Sequence, residues 1–209
     1  MLTGLLGGSF NPAHGGHRSI SQFALDALDL DEIWWLVSPG NPLKAGAKDM
    51  APLKARLGSA RKMARRAPIR ATAIEAQMGT RYTIDTLRKL VRRYPNRRFI
   101  WIMGADNVAN FTRWRRWRDI ARLMPIAVIA RPGYDSDAVA GPAMAWLRRY
   151  VRRPDQQLNW TMWSTPALVF LRFRPDPRSA TAVRQANPYW YRDFDDRRVI
   201  DGVTHKVLY

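Results

Sequence analysis

No cysteine occurs among the 209 residues, which removes disulfides, thiolate zinc sites and thiol nucleophiles from consideration. No apolar run approaches the roughly 18 residues that a membrane-crossing helix needs. The opening Met1–Leu6 is apolar, but it lacks a cationic start and halts at Gly7-Gly8. It therefore reads as a first strand and not as a signal peptide; a cytoplasmic protein with no membrane partner is the expectation. Acidic residues are also scarce, 17 against 35 Lys and Arg, giving a net charge of +18. Such a field concentrates any polyanion, nucleotide or nucleic acid. Arginine runs such as Arg113-Trp114-Arg115-Arg116-Trp117-Arg118 are equally what solvated helix faces look like, so charge alone decides nothing. What is plentiful is core material. Hydrophobic residues make up 46% and aromatics 11%, which excludes a wholly disordered chain.

Apolar and helical segments alternate along most of the chain. Strands are expected at 2–6, 33–37, 69–74, 99–103, 126–130 and 168–173. Helices are expected at about 16–28, 52–66, 83–94 and 143–151, the third stopped by Pro95. Residues 41–49 read as a loop and 135–142 as a linker within the domain. This β-α-β-α order predicts an α/β, Rossmann-like, doubly wound, mostly parallel sheet with a small C-terminal helical part. One domain is expected over 1–209, with about 175–209 as the helical subregion. In such folds ligands sit beyond the carboxyl ends of the strands, where strand order reverses. The chemistry is thus sought just after Leu6, Val37, Met103 and Ala130.

The first strand runs into Gly7-Gly8-Ser9-Phe10-Asn11-Pro12-Ala13-His14-Gly15-Gly16-His17. Paired glycines let the backbone turn sharply and approach a ligand. The spacing matches neither a Walker loop nor the dinucleotide fingerprint. Instead it sets two imidazoles three residues apart at a helix start, where backbone N–H groups favour an anion and imidazoles can donate to phosphate oxygens. The competing assignments are a helix cap and a zinc site. Two of the three histidines in one post-strand loop speak against mere capping. The lack of cysteine, and of a carboxylate at ligand spacing, speaks against zinc.

This loop resembles the Gly-Gly-Thr-Phe-Asp-Pro-x-His-x-Gly-His signature of the nucleotidyltransferase superfamily that contains the mononucleotide adenylyltransferases, with Ser9 for Thr and Asn11 for Asp. Class I aminoacyl-tRNA synthetases share a related element but are far longer. Arg178-Ser179-Ala180-Thr181-Ala182-Val183-Arg184 is similar to the superfamily's Ile-Ser-Ser-Thr-x-Ile-Arg segment, in which a helix start faces the ATP phosphates. Further elements resemble the nicotinate-nucleotide adenylyltransferases. They are Pro39-Gly40-Asn41-Pro42-Leu43-Lys44, Tyr82-Thr83-Ile84-Asp85-Thr86-Leu87, Gly104-Ala105-Asp106 with Trp114, and Arg131-Pro132-Gly133-Tyr134.

The resemblance, over about residues 2–186, implies adenylyl transfer from ATP to nicotinate mononucleotide, giving deamido-NAD and pyrophosphate. It implies catalytic roles for His17, His14, Lys44 and Arg184. The ATP site would comprise Gly8, Ser9, Phe10, His14, His17, Gly104, Asp106, Arg131, Ser179, Thr181 and Arg184. Asn41, Lys44, Tyr82, Thr83 and Trp114 would hold the acceptor, with Thr83 toward the pyridine carboxylate and Trp114 stacked on the ring. Mg2+ would be held mainly by substrate phosphates, without a dedicated carboxylate cage. Two rival readings stand beside this one. The first is a sibling enzyme using nicotinamide mononucleotide or a phosphopantetheine acceptor. The second is a basic nucleic-acid-binding protein, which leaves the order of His14, His17, Ser179 and Arg184 unexplained. A homo-oligomeric state is left open.

Overall fold

A computed structural model describes residues 1–40, 50–130, 140–173, 180–195 and 197–208. Nine strands occur among them: β1 (Leu2–Gly8), β2 (Glu32–Val37), β3 (Ile69–Thr72), β4 (Arg98–Gly104), β5 (Ile126–Ala130), β6 (Val151–Arg152), β7 (Leu168–Arg172), β8 (Val199–Ile200) and β9 (Val207–Leu208). The first seven form one sheet in the order β3-β2-β1-β4-β5-β7-β6, and every pairing is parallel. Parallel strands need crossovers, and helices supply most of them: α1 (Gly15–Leu28), α2 (Leu53–Ala64), α4 (Thr83–Arg93) and α6 (Trp117–Leu123). Two short helices, α3 (Ile74–Gln77) and α5 (Ala105–Ala109), directly follow β3 and β4.

The central strands β2, β4 and β5 are buried on both faces, which is why they read as unbroken apolar runs. Side-chain alternation splits them between two cores. One face carries Leu5, Trp34, Trp101, Met103 and Val128 against Ile84, Leu87 and Leu90 of α4 and Ile120 of α6. The other carries Ile33, Trp35, Ile102, Ile129 and Val169 against Leu25 and Leu28 of α1 and Leu57 and Ala60 of α2. The adjacent Trp34 and Trp35 therefore fill opposite cores, and each indole N–H needs its own acceptor. Trp34 donates to Glu32 Oε1 and Trp35 to Ser21 Oγ, both at 2.8 Å.

Two differences from the sequence expectation matter for the site. The third strand stops at Thr72 and turns into α3, although the apolar pattern continues to Ile74. The later part of the chain holds a helix, Ala180–Ala186, and a 3-10 turn, Trp190–Phe194, but also the antiparallel pair β8–β9. One residue explains both. Asp201, fully buried, sits in the β8–β9 turn and accepts from Val203 N and Thr204 N at 2.9 Å each. It also accepts from Thr72 Oγ1 at 2.9 Å, Ala73 N at 2.7 Å and Gln77 Nε2 at 3.1 Å. The carboxylate thus ends β3 by taking the next N–H. The same tail packs on α2, where Phe194 lies against the hydrogen of Gly58 so closely that a Cβ would clash.

Each of the five groups bonded to the Asp201 carboxylate is a donor, so even an isosteric amide misfits. Asp201→Asn should lower unfolding free energy by about 3 kcal/mol or more, as expected for buried N–H groups left unpaired. Urea denaturation checks this, and an unchanged midpoint would refute the clamp.

Candidate active site

Strand order reverses between β1 and β4, and a cleft of about 750 Å3 opens beyond their carboxyl ends. Gly8, Ser9 and His17 line one wall, and Gly104, Asp106 and Trp114 line the other. Both strand ends belong to the set from which the site was expected. Gly7 lies over the indole of Trp101; a Cβ there would come within 2.7 Å of the ring.

The histidine loop is shaped by the helix it starts. His14 is the extended residue that caps α1, and its Nδ1 accepts from Gly16 N at 3.1 Å. His17 Nδ1 in turn accepts from His14 N at 3.2 Å. The two imidazoles thus form a reciprocal capping box, a role more often filled by Ser or Thr with Glu or Gln. The capping and anion-binding roles are therefore compatible. Each Nδ1 carries a lone pair for the backbone, so the ring proton sits on Nε2 in both residues while these bonds stand. The rings lie 3.9 Å apart between centroids. His17 rests on Phe10 at 4.8 Å, and Phe10 stacks on Trp35 at 5.1 Å. The ring of Phe10 is thus buried beneath His17 and faces inward, with its backbone at a positive φ of 48°.

Helix α2 holds this loop from behind. Ser59 Oγ accepts from Ala13 N at 3.2 Å, and Asn11 Oδ1 accepts from Ala51 N at 3.1 Å. Arg56, almost completely buried, donates to the carbonyls of Ser9 (2.9 Å), Ser38 (2.6 Å), Pro39 (3.2 Å) and Ala51 (2.8 Å). Burial pushes its guanidinium down to about 10, so it stays charged at neutral pH. Arg184, from the helix Ala180–Ala186, donates to Asn11 O at 2.8 Å. The structure thus brings the second sequence motif to the first across 173 residues.

At the other end, Tyr82 and Thr83 line the cleft at the N-terminus of α4. Trp114 packs edge-on against Trp101 and Phe111. Arg81, Arg113 and Arg115 also line the cleft, and the Arg115 guanidinium lies 4.7 Å from the Tyr82 ring centroid. Asp106 stands in the first turn of α5. Sequence reasoning missed Glu75 and Trp101, which share this lining. Burial pushes the Glu75 carboxyl up to about 7, against the opposing effect of a hydrogen bond from Thr86. The Trp101 indole N–H is buried with no acceptor among the described residues. Thr181 is exposed in the first turn of its helix. Asn41, Lys44, Arg131 and Ser179 lie outside the described residues. Among the described residues no cluster of three His, Asp or Glu side chains could hold a metal, and no helix is long and apolar enough to cross a membrane.

A parallel sheet with a histidine-capped helix at its switch point defines a class, and comparison agrees. The family model described as cytidylyltransferase-like matches residues 5–186. A protein of Erythrobacter litoralis (strain HTCC2594), named probable nicotinate-nucleotide adenylyltransferase, is 64% identical over 99% of this chain and 94% of its own length. One of the same name from Parvibaculum lavamentivorans is 49% identical over 88% of this chain and 92% of its own. The chain belongs to the cytidylyltransferase-like family and, within it, to the nicotinate-nucleotide adenylyltransferases. Its fold is that of the solved Plasmodium falciparum nicotinic acid mononucleotide adenylyltransferase in complex with NaAD. The TM-score is 0.62 at 15% identity, covering 88% of this chain and 82% of that one. The complex of the same enzyme with APC gives 0.60 at 14%, with the same coverage.

The half-buried Glu75 makes stability depend on pH. Its folded ionisation lies above the ordinary 4.5, so its contribution is fully present below about pH 4.5 and is lost as pH rises through about 7. Glu75→Gln, which cannot ionise, should gain about 3 kcal/mol on the wild type between pH 4.5 and 8.5. Denaturant midpoints at several pH values test this; a pH-independent difference would contradict it.

Proposed function

We propose that this chain transfers the adenylyl group of MgATP to nicotinate mononucleotide, releasing pyrophosphate and forming deamido-NAD. The observation that carries the reading is the joining, in one cleft, of a histidine-capped helix start and an aromatic, threonine-bearing pocket. The 5′-phosphate oxygen of the acceptor attacks the α-phosphorus in line, a new P–O bond forms, and the bond to the β-phosphate breaks. Such a step asks for positioning and charge stabilisation and not for a covalent nucleophile.

In this reading His17 donates Nε2–H to the α-phosphate, where negative charge gathers in the transition state. His14 orders His17 and adds its own Nε2–H to the phosphate region, and Ser9 and Gly8 bring the loop against the same oxygens. Arg184, with Thr181 and the expected Ser179, serves the β- and γ-phosphates. Its existing bond to Asn11 O supports that placement. Gly104 and Asp106 receive the nucleoside, Asp106 accepting from ribose hydroxyls, with Arg131 nearby by expectation. Phe10 acts through His17, which it supports from below.

The acceptor ring lies against the face of Trp114, and its carboxylate meets Thr83, Tyr82 and the N-terminus of α4, where the helix dipole favours an anion. Asn41 and Lys44 complete the acceptor side in the resemblance. Mg2+ would come with ATP as part of the substrate, held by phosphates and water, and the protein acts as one nucleotidyltransferase domain. Incubation with MgATP and nicotinate mononucleotide, nicotinamide mononucleotide or phosphopantetheine, with product chromatography, decides among the sibling activities. Formation of deamido-NAD supports the reading, and its absence overturns it. A mobility shift with nucleic acid at physiological salt addresses the binding-protein alternative.

His17→Asn keeps an acceptor for the helix cap but lacks Nε2–H. Turnover should fall a hundredfold or more, a loss of about 2.7–4 kcal/mol of charge stabilisation, while the melting temperature moves only slightly. Full activity removes His17 from the mechanism. Trp114→Ala should weaken nicotinate mononucleotide by about 0.5–1.5 kcal/mol beyond lost contact area and leave ATP binding nearly unchanged. Equal losses for both substrates contradict stacking.

A further inference from the structure

Glu75 has no task in the reaction derived above, yet it lines the cleft on the wall shared with Tyr82 and Thr83. It stands on α3, between the end of β3 and the start of α4. Thr86 Oγ1 lies 3.2 Å from Glu75 Oε1 and 2.8 Å from Thr80 Oγ1, which donates to the Glu75 carbonyl at 3.2 Å. Hydroxyl protons rotate, so this chain accommodates two states. A neutral Glu75 donates Oε1–H to Thr86, Thr86 donates to Thr80, and Thr80 donates to the carbonyl, leaving no donor unused. When Glu75 is ionised, Thr86 turns and donates to it.

No ion pair among the described residues includes Glu75, and burial places its ionisation near neutrality. The charged groups around it come from several elements. Asp201, from the β8–β9 turn, bonds the start and the last residue of α3. The turn before α4 brings Arg81 and Tyr82, and α4 carries Asp85 and Lys89, the latter donating to Met78 O. Across the cleft stand His17 of α1, Asp106 of α5, and Arg113 and Arg115.

We propose that Glu75 is a specificity-determining residue: uncharged, it admits a pyridine carboxylate to the Tyr82–Thr83 end of the cleft, and ionised, it shifts preference toward an uncharged amide on the same ring. The proposal rests on the adenylyl-transfer reading. Both acceptors carry the cationic ring and the 5′-phosphate, so only the ring substituent differs between them. A carboxylate on Glu75 repels a carboxylate substituent and leaves an amide unopposed. At a separation of several ångströms in a partly solvated cleft, that difference is worth about tenfold.

The experiment compares kcat/KM for nicotinate and nicotinamide mononucleotide, at saturating MgATP, from pH 6 to 8.5, in the wild type and in Glu75→Gln. Fluorescence titration of each mononucleotide onto both proteins, without ATP, gives affinities that do not depend on turnover. The wild-type preference for the nicotinate form should fall about tenfold across this range, in kcat/KM and in affinity. In Glu75→Gln both ratios should stay flat. Product formation with parallel slopes in the two proteins, or with no slope in the wild type, overturns the assignment of Glu75 alone. Failure of the wild type to form a dinucleotide from either acceptor overturns the adenylyl-transfer reading, and this proposal with it. Should the variant not fold, the wild-type affinities decide: a pH-independent ratio refutes the proposal.

Discussion

A guanidinium taken out of water must be surrounded by acceptors, and the site is built around one such group. Arg56 reaches carbonyls in three separate stretches: Ser9 after β1, Ser38 and Pro39 after β2, and Ala51 ahead of its own helix. Losing any of these acceptors would leave a buried charge partly unsolvated, which costs several kcal/mol. The carboxyl ends of β1 and β2 are therefore held at a fixed separation by one planar fork of donors. The histidine loop inherits this rigidity, since Ser59 and Ala51 on either side of Arg56 fasten Ala13 and Asn11.

On that frame, the two imidazoles do more than face a ligand. By spending Nδ1 on the backbone, each fixes its tautomer and its direction. The stack Trp35–Phe10–His17 supports the ring from beneath. A helix cap, an aromatic stack and a proposed phosphate donor thus meet in one side chain. The other end of the cleft is organised differently, with arginines, a helix N-terminus and edge-on indoles around a carboxyl whose ionisation burial raises to about 7.

Much of this was legible from residues. The fully buried strands announced themselves as apolar runs, and the glycine turn with its histidines marked the switch point. What escaped notice depends on partners distant in the chain. Nothing near Ile74 says that β3 ends at Thr72, because the group that ends it is Asp201, 128 residues beyond Ala73. Arg56 sits in a segment rich in basic residues and looks like one more solvated cation. Its only local sign is the small neighbours Ala55, Gly58 and Ser59, which leave room for it to lie flat. Glu75 carries no motif by itself, and its character comes from burial, a property of the assembled fold. Capping by imidazole and anion binding look like rivals in the sequence, because spacing does not reveal which ring nitrogen faces the backbone.

The bonds from Asp201 to Thr72 and from Arg184 to Asn11 span 129 and 173 residues. Closing loops of that size is slow relative to forming local helices, since the entropy is surrendered before the contact is gained. On the ribosome, the segment bearing the histidines would emerge long before the residues that finish the pocket around it. A nascent sheet would thus present an unsealed edge at β3 and an incomplete nucleotide pocket until positions 184 and 201 had been synthesised. The interval between exposure and sealing is when such a chain is most open to mispairing, and when a chaperone would find most to hold.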